Sequence, residues 1–510
     1  MHHFANVSLF RPTPEPDRSG LSRIGWKRGA PALAVVLIAG IAFRVWIYRS
    51  RIGVPDSDEA IVGLMARHIL HGHFTTFFFG QSYGGSQEAL LAAPGFALFG
   101  SGWLPLRMVG IVLSAVAALI IWRVGRRTIG EPAAAVAGCL FWIWPPFTLD
   151  KLTHQYGFYA TGVVYAALLV LLALRVVERP DWLRVGAFGL VLGIGFWQSS
   201  QIVPLALPVI AWTLWKQPQA LRRIWIGVPL ALVGALPWIV WNIRHDWGSF
   251  DFMAGETPDY WHRLRLFFSP VIPMALGIRV PFRQIPLGSP QVADLAYAIL
   301  VALFIAGAAR ARHRNASVLY LIVAIFPFIY ATNPKTSFSL TPTYAVILTP
   351  VLVLLIAQLA TTYARALAIG ALACAMTALL IHKMNHYDPW SQSQETPPRD
   401  LRPLIATLDE LGLDRVYASY WLAYVLSFDT RERIIGAQNQ FRGIDMVNGQ
   451  AIPIRDPIPR YPPYQEMVRT ARHGFVFFRE GIESVKIIPE LERHGYKRRE
   501  AGPFVIYAPA

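Results

Sequence analysis

Apolar residues in this chain come in long unbroken runs, with polar positions gathered into the gaps between them. A helix needs about 20 mainly apolar residues to cross a bilayer. Runs near that length predict membrane helices over Pro31–Tyr48, Trp103–Trp122, Pro132–Phe147, Tyr156–Val176, Leu183–Ser199, Ile202–Trp215, Ile224–Trp241, Val292–Ala309, Ser317–Thr332, Tyr344–Thr361 and Ala364–Ile381, about eleven in all. Basic residues mark every second gap. They are Arg11, Arg18, Arg23, Lys27 and Arg28 before the first run, Arg123, Arg126 and Arg127, then Arg175, Arg179 and Arg184, then Lys216, Arg222 and Arg223, then Arg310, Arg312 and Arg314. Short loops rich in Arg and Lys stay on the cytoplasmic side. The N-terminus is therefore expected inside, and the stretch 49–102 and the C-terminus outside.

After Ile381 the pattern changes to short alternating elements. Helices are expected over Leu401–Leu411, Tyr464–Arg472 and Ile482–His494, and strands over Arg415–Tyr420, Glu432–Ala437, Phe475–Phe478 and Pro503–Ala508. Alternating helices and strands predict a small α/β domain. The fold class is thus a polytopic α-helical membrane protein with a small C-terminal extracytoplasmic α/β domain. The expected layout is a cytoplasmic tail at 1–30, a transmembrane domain at 31–382 and the α/β domain at 383–510.

Composition sharpens this reading. Only 15% of the 510 residues are charged and 54% are hydrophobic, which excludes an ordinary soluble domain. The net charge of +16 fits the inside bias of membrane loops and contact with anionic lipid, so no nucleic-acid partner is implied. The two cysteines, Cys139 and Cys374, both fall in apolar runs, which excludes a disulfide framework and a cysteine zinc cluster.

Candidate chemistry concentrates in Pro55–Gly100, which holds Asp56, Asp58, Glu59 and Glu88. Ile61, Val62, Met65 and Ile69 have helical spacing, with Arg67 and His68 opposite, predicting an amphipathic helix lying in the membrane interface. Asp56 and Glu59 match a capping box at its start. That leaves Asp58 without a structural task, so Asp58 is the first choice for a reactive carboxylate, with Glu59 and Asp56 beside it. In QSYGGSQE, Gly84 and Gly85 allow a close backbone approach, and Gln81, Tyr83 and Glu88 are candidates to hold an acceptor or a divalent metal ion. Arg107, Lys335, Arg279 and Arg283 fall at the outer ends of runs or in outer loops, where a lipid phosphate would need cations.

The pair Asp58-Glu59 early in the first external loop, with ALLAAPGFALFG and LPLRMVG after it, resembles the C-type (GT-C) membrane glycosyltransferases. This group contains the protein O-mannosyltransferases and the bacterial aminoarabinose transferases. The likeness in layout covers roughly residues 31–380, and YASYWLAYVLSFDTRERI is similar to a stretch of bacterial members. The resemblance implies a polyprenyl-phosphate sugar donor used at the outer face, with Asp58 as base or acceptor orienter and Glu59 as the second acid of the pair. The Glu-Lys-Pro-Pro type of second motif is replaced here by GGSQEALLAAP, which puts lipid A as acceptor in doubt. The expectation is an inverting monosaccharide transfer to an envelope lipid, glycan or protein acceptor, in the cell inner membrane. The rival expectation is a transporter or flippase of lipid-linked sugars. Against it stand the lack of a visible internal repeat and the absence of acids from the confident apolar runs.

Overall fold

The computed structural model describes residues 18–253, 258–311, 314–386, 397–447, 449–454 and 459–510. The tail as far as residue 17, and the link at 387–396 between the expected domains, lie outside the described residues. The membrane part opens with α1 (Arg18–Arg49), α2 (Ser57–Leu70), α3 (Gln87–Phe99) and α4 (Trp103–Thr128). It continues with α5 (Glu131–Ile143), α6 (Pro146–Thr153), α7 (Tyr159–Glu178), α8 (Trp182–Gln198), α9 (Val203–Lys216), α10 (Ile224–Gly234) and α11 (Leu236–Arg244). It closes with α12 (Tyr260–Leu266), α13 (Ile272–Ala275), α14 (Pro290–Ala311), α15 (Ser317–Tyr330), α16 (Thr349–Ala357) and α17 (Tyr363–His386).

Among the described residues, five helices are long and apolar enough to cross a bilayer: Pro31–Arg49 within α1, then α4, α7, α14 and α17. Counting each bent pair as one span, α5 with α6 and 218–234 with α11, raises this to as many as seven. The remaining expected spans are shorter helices: α8 has 17 residues, α9 and α15 have 14 each, and α16 has 9. Proline is the physical reason for the breaks in the bent pairs. Pro145 and Pro146 sit at the break between α5 and α6, and Pro237 opens α11. A proline removes a backbone donor and disfavours helix in the residue before it. Elsewhere small residues bring helices together. A Cβ on Gly193 of α8 would lie 1.9 Å from the Ala231 carbonyl oxygen of α10, the close backbone approach that small residues permit between membrane helices.

The C-terminal part contains α18 (Arg402–Glu410), α19 (Tyr420–Asp429), α20 (Pro462–Thr470) and α21 (Ile488–Arg493). Its strands are β1 (Arg415–Ala418), β2 (Ile435–Gln438), β3 (Ile444–Val447), β4 (Gln450–Pro453), β5 (Gly474–Phe478), β6 (Lys497–Ala501) and β7 (Phe504–Ala508). One sheet has the order β2-β1-β5-β7-β6, and β3 and β4 form a separate hairpin. β1 runs parallel to β2 and β5, whereas β7 is antiparallel to β5 and β6. Parallel neighbours need a crossover, and α19 supplies it between β1 and β2. The sequence pattern predicts neither α19 nor the β3–β4 hairpin nor β6. Residues Leu422–Phe428 of α19 are all buried, so no polar stripe reveals its period.

The α/β part is not an appendage. One apolar core runs from Ile61, Leu64 and Met65 of α2 through Phe96 of α3 into Leu422, Val425 and Phe428 of α19 and onward under the sheet. α2 is therefore enclosed by protein, and its apolar face does not lie against lipid. Ser57 and every residue from Glu59 to Arg67 are buried, because α3 covers one side and α19 the other. Arg67, expected on a polar outer face, donates to the Phe428 carbonyl at 2.6 Å and to Ser101 Oγ at 2.7 Å. His68 Nε2 meets Glu432 Oε1 at 2.8 Å. Gly63 permits this packing, since a Cβ there would fall 2.3 Å from Phe428 Cε2.

Candidate active site

The site is built on the first turn of α2. Asp56 is the N-cap and accepts from the Glu59 amide at 3.1 Å. The reciprocal half of the capping box is not made, because Glu59 turns away into a buried ion pair. Its Oε1 and Oε2 accept from Arg107 Nε at 2.6 Å and Nη2 at 2.5 Å, and Oε1 also accepts from the Gln155 amide at 3.1 Å. Arg107 completes its fork on the Gly53 carbonyl at 3.0 Å. Glu59, expected as the second acid of the pair, and Arg107, expected at the donor phosphate, thus form one strut that anchors α2 to α4. Burial, together with the Asp58 charge beside it, pushes the Asp56 carboxyl up to about 7.

Asp58 faces the other way, toward the α/β part. Its Oδ1 accepts a hydrogen bond from the Tyr420 hydroxyl at the start of α19. Burial and the Asp58 charge push the Tyr420 phenol well above its ordinary value, so it remains a donor. The Arg460 guanidinium sits 5.6 Å from the Tyr420 ring centroid, and its charge acts on Asp58, Tyr420 and Tyr83. With its carboxamide oxygen turned toward Arg460, Gln81 accepts from Nη1 at 2.7 Å. Lys335 Nζ lies 3.3 Å from the Tyr83 ring centroid, a cation–π contact. Burial, and then the nearby Arg460 charge, pull the Lys335 ammonium down to about 8. Gly80 allows the 459–460 backbone to lie against this loop, since a Cβ there would meet Arg460 Cα at 2.5 Å.

Asp58, Gln81, Tyr83 and Lys335 are therefore brought together. Tyr420 and Arg460 join them, and sequence reading did not single them out. Tyr420 falls inside the stretch YASYWLAY, where it is one aromatic among several. Arg460 sits in the Pro-rich stretch IPRYPPY, where its only signal is a lone cation between prolines and tyrosines.

The other candidates stand apart. Glu88 is fully buried and accepts from the Thr161 amide at 2.8 Å and hydroxyl at 2.7 Å, tying α3 to α7. Burial pushes its carboxyl up, against those hydrogen bonds. Arg279 lies 3.4 Å from Asp294, and Arg283 is exposed on the loop before α14. Behind Asp56 lies a buried polar layer that the sequence did not reveal: Asp150, Lys151, His154, Gln155 and Tyr156 at the turn from α6 to α7. Lys151 Nζ is 4.0 Å from the Tyr156 ring centroid, and its charge acts on both Asp56 and Asp150. Among the described residues, no group of three or more His, Cys, Asp or Glu is disposed to hold a metal ion.

Residues 88–241 match the sequence profile of the family described as dolichyl-phosphate-mannose-protein mannosyltransferase. The structure of ArnT from Cupriavidus metallidurans in the apo state superposes with a TM-score of 0.59 at 16% identity, covering 96% of this chain and 98% of that one. The chain therefore shares the ArnT fold. The same protein bound to undecaprenyl phosphate superposes with a TM-score of 0.57 at 15% identity, covering 94% of this chain and 98% of that one. No curated protein matches the chain in sequence. The matched segment begins at Glu88, so the Asp56–Glu59 turn lies before it, and its place in the site rests on the fold and its own geometry.

Proposed function

We propose that this protein transfers a monosaccharide from a polyprenyl-phosphate donor to an acceptor at the outer face of the inner membrane, with inversion at the anomeric carbon. The observation that carries this reading is the convergence of one carboxylate, Asp58, with two cations, Lys335 and Arg460, at the seam between the membrane part and the α/β part. The undecaprenyl phosphate bound by the similarly folded ArnT supports a lipid-phosphate leaving group.

In this mechanism Asp58 takes the proton of the acceptor hydroxyl, and that oxygen attacks the anomeric carbon. The bond from that carbon to the phosphate oxygen breaks, and its electron pair leaves with the polyprenyl phosphate. Lys335 and Arg460 stabilise the departing charge. Tyr420 holds Asp58 in place. A single displacement needs one base, whereas a retaining enzyme needs a second carboxylate as nucleophile close by. Asp56, drawn up to about 7 by burial and the Asp58 charge, is held as the α2 cap by the Glu59 amide.

A cavity of about 280 Å³ opens beside Tyr83. Its lining includes Phe77, Trp197, Trp238, Gln201 and Asn333 and contains no charged side chain. Aromatic faces with neutral hydrogen-bonding groups suit an uncharged, hydroxyl-bearing acceptor. The decisive experiment is Asp58→Asn, assayed in membranes with a radiolabelled lipid-phosphate sugar. Loss of about 100- to 10,000-fold in transfer at normal expression is expected. Full transfer by the variant would remove Asp58 as the base, and binding without transfer by the unaltered protein would favour the flippase reading.

A further inference from the structure

α14 is the least packed long helix of the membrane part. Among its residues only Ala293 and Ala311 are buried. Between its first half and the segment 269–279 lies a groove of about 550 Å³. Asp294, Tyr297, Ala298, Val301, Ala302 and Ile305 line one wall. Those positions recur at helical spacing, so they form one stripe down α14. From residue 294 to 305 the stripe descends about 16 Å, close to half the ~30 Å hydrocarbon thickness of a bilayer. The groove is therefore one leaflet deep.

Its upper end carries opposite charges. Arg279 Nη2 stands 3.4 Å from Asp294 Oδ1, with the Asp294 side chain 71% exposed. This end lies on the same side of the membrane part as the active site. The loop 280–287 packs with Leu380 and Met384 of α17 and with Ile52, just before α2. A helix face this apolar needs lipid or protein against it, and the side chains of the neighbouring segment do not fill the gap.

We propose that this groove is a binding site for one phospholipid with a zwitterionic, amine-bearing headgroup of the phosphatidylethanolamine class. One acyl chain lies along the α14 stripe, Arg279 holds the phosphate, and Asp294 holds the ammonium group. The charge pair decides the class. A lipid carrying only a phosphate would satisfy Arg279 and face repulsion from Asp294, whereas an amine-bearing headgroup meets both. The occupant is distinct from the sugar donor, whose phosphate is assigned to Lys335 and Arg460.

The test is lipid analysis of the intact protein purified in mild detergent from a membrane containing both phosphatidylethanolamine and phosphatidylglycerol. About one phosphatidylethanolamine per chain is expected, enriched over its share of the bulk membrane. Asp294→Asn reduces the preference for phosphatidylethanolamine over phosphatidylglycerol about fivefold, the scale of an exposed charge pair. Ala298→Phe, which fills the groove, removes the lipid altogether while transfer activity persists. The proposal is overturned if the unaltered protein retains no phospholipid, if the two lipids are held in their bulk ratio, or if polyprenyl phosphate occupies the groove instead. Because the readout is bound lipid and not transfer, failure here leaves the Asp58 mechanism standing.

Discussion

Arg107→Met separates a strut from a substrate contact. Arg107 and Glu59 are 1% and 0% exposed, and they share two hydrogen bonds of 2.6 and 2.5 Å. Removing the guanidinium leaves a buried carboxylate whose remaining donor among the described residues is the Gln155 amide at 3.1 Å. Breaking a buried ion pair from one side costs about 3–5 kcal/mol. In the double variant Arg107→Met with Glu59→Gln, no charge is stranded and the Gln155 amide keeps an acceptor. That variant should lose only about 1–2 kcal/mol, giving a coupling of at least about 2 kcal/mol between the two positions. The assay is reversible unfolding in mixed micelles, run for both single variants and the double, with binding of a polyprenyl phosphate measured on the folded material. A single variant as stable as the unaltered protein, or a double variant as unstable as Arg107→Met, refutes the strut. A stable double variant that no longer binds donor would return Arg107 to the phosphate site, where the sequence alone had put it.

Three further outcomes are expected. Asp56 has a folded pKa of about 7, above the ordinary carboxylate value near 4, so its contribution to stability is complete at low pH and is lost as pH rises toward 7. Asp56→Asn, which still caps α2, should flatten that decline and be more stable at pH 8 by as much as about 4 kcal/mol, read by the same unfolding titration. Lys335 loses its proton as pH passes about 8, so donor binding should weaken about tenfold between pH 7 and pH 9.5. Lys335→Arg, always charged, should abolish that dependence in a binding titration. Gly63→Val drives a side chain into the Phe428 ring and should cost about 1–3 kcal/mol, with part of the loss recovered in combination with Phe428→Ala.

What the sequence determined by itself was whatever is written in local pattern. Runs of apolar residues marked the membrane part, the change after Ile381 marked the α/β part, and the spare acid at the head of α2 singled out Asp58 as a candidate. Proline positions were visible too, although their effect of bending α5 into α6 and shortening other runs became definite only in the folded chain. Tertiary structure alone decided the rest. Tyr420 reaches Asp58 across 362 positions of sequence, and Arg460 and Lys335 arrive from separate loops. Local pattern carries no information on which distant loops meet, because that is set by how α19 and α3 enclose α2. The same enclosure explains why Arg67, placed by its spacing on the polar face of α2, lies buried. Periodicity records only that a helix has an apolar stripe; whether its polar side meets water or a partner depends on what the remainder of the chain packs there.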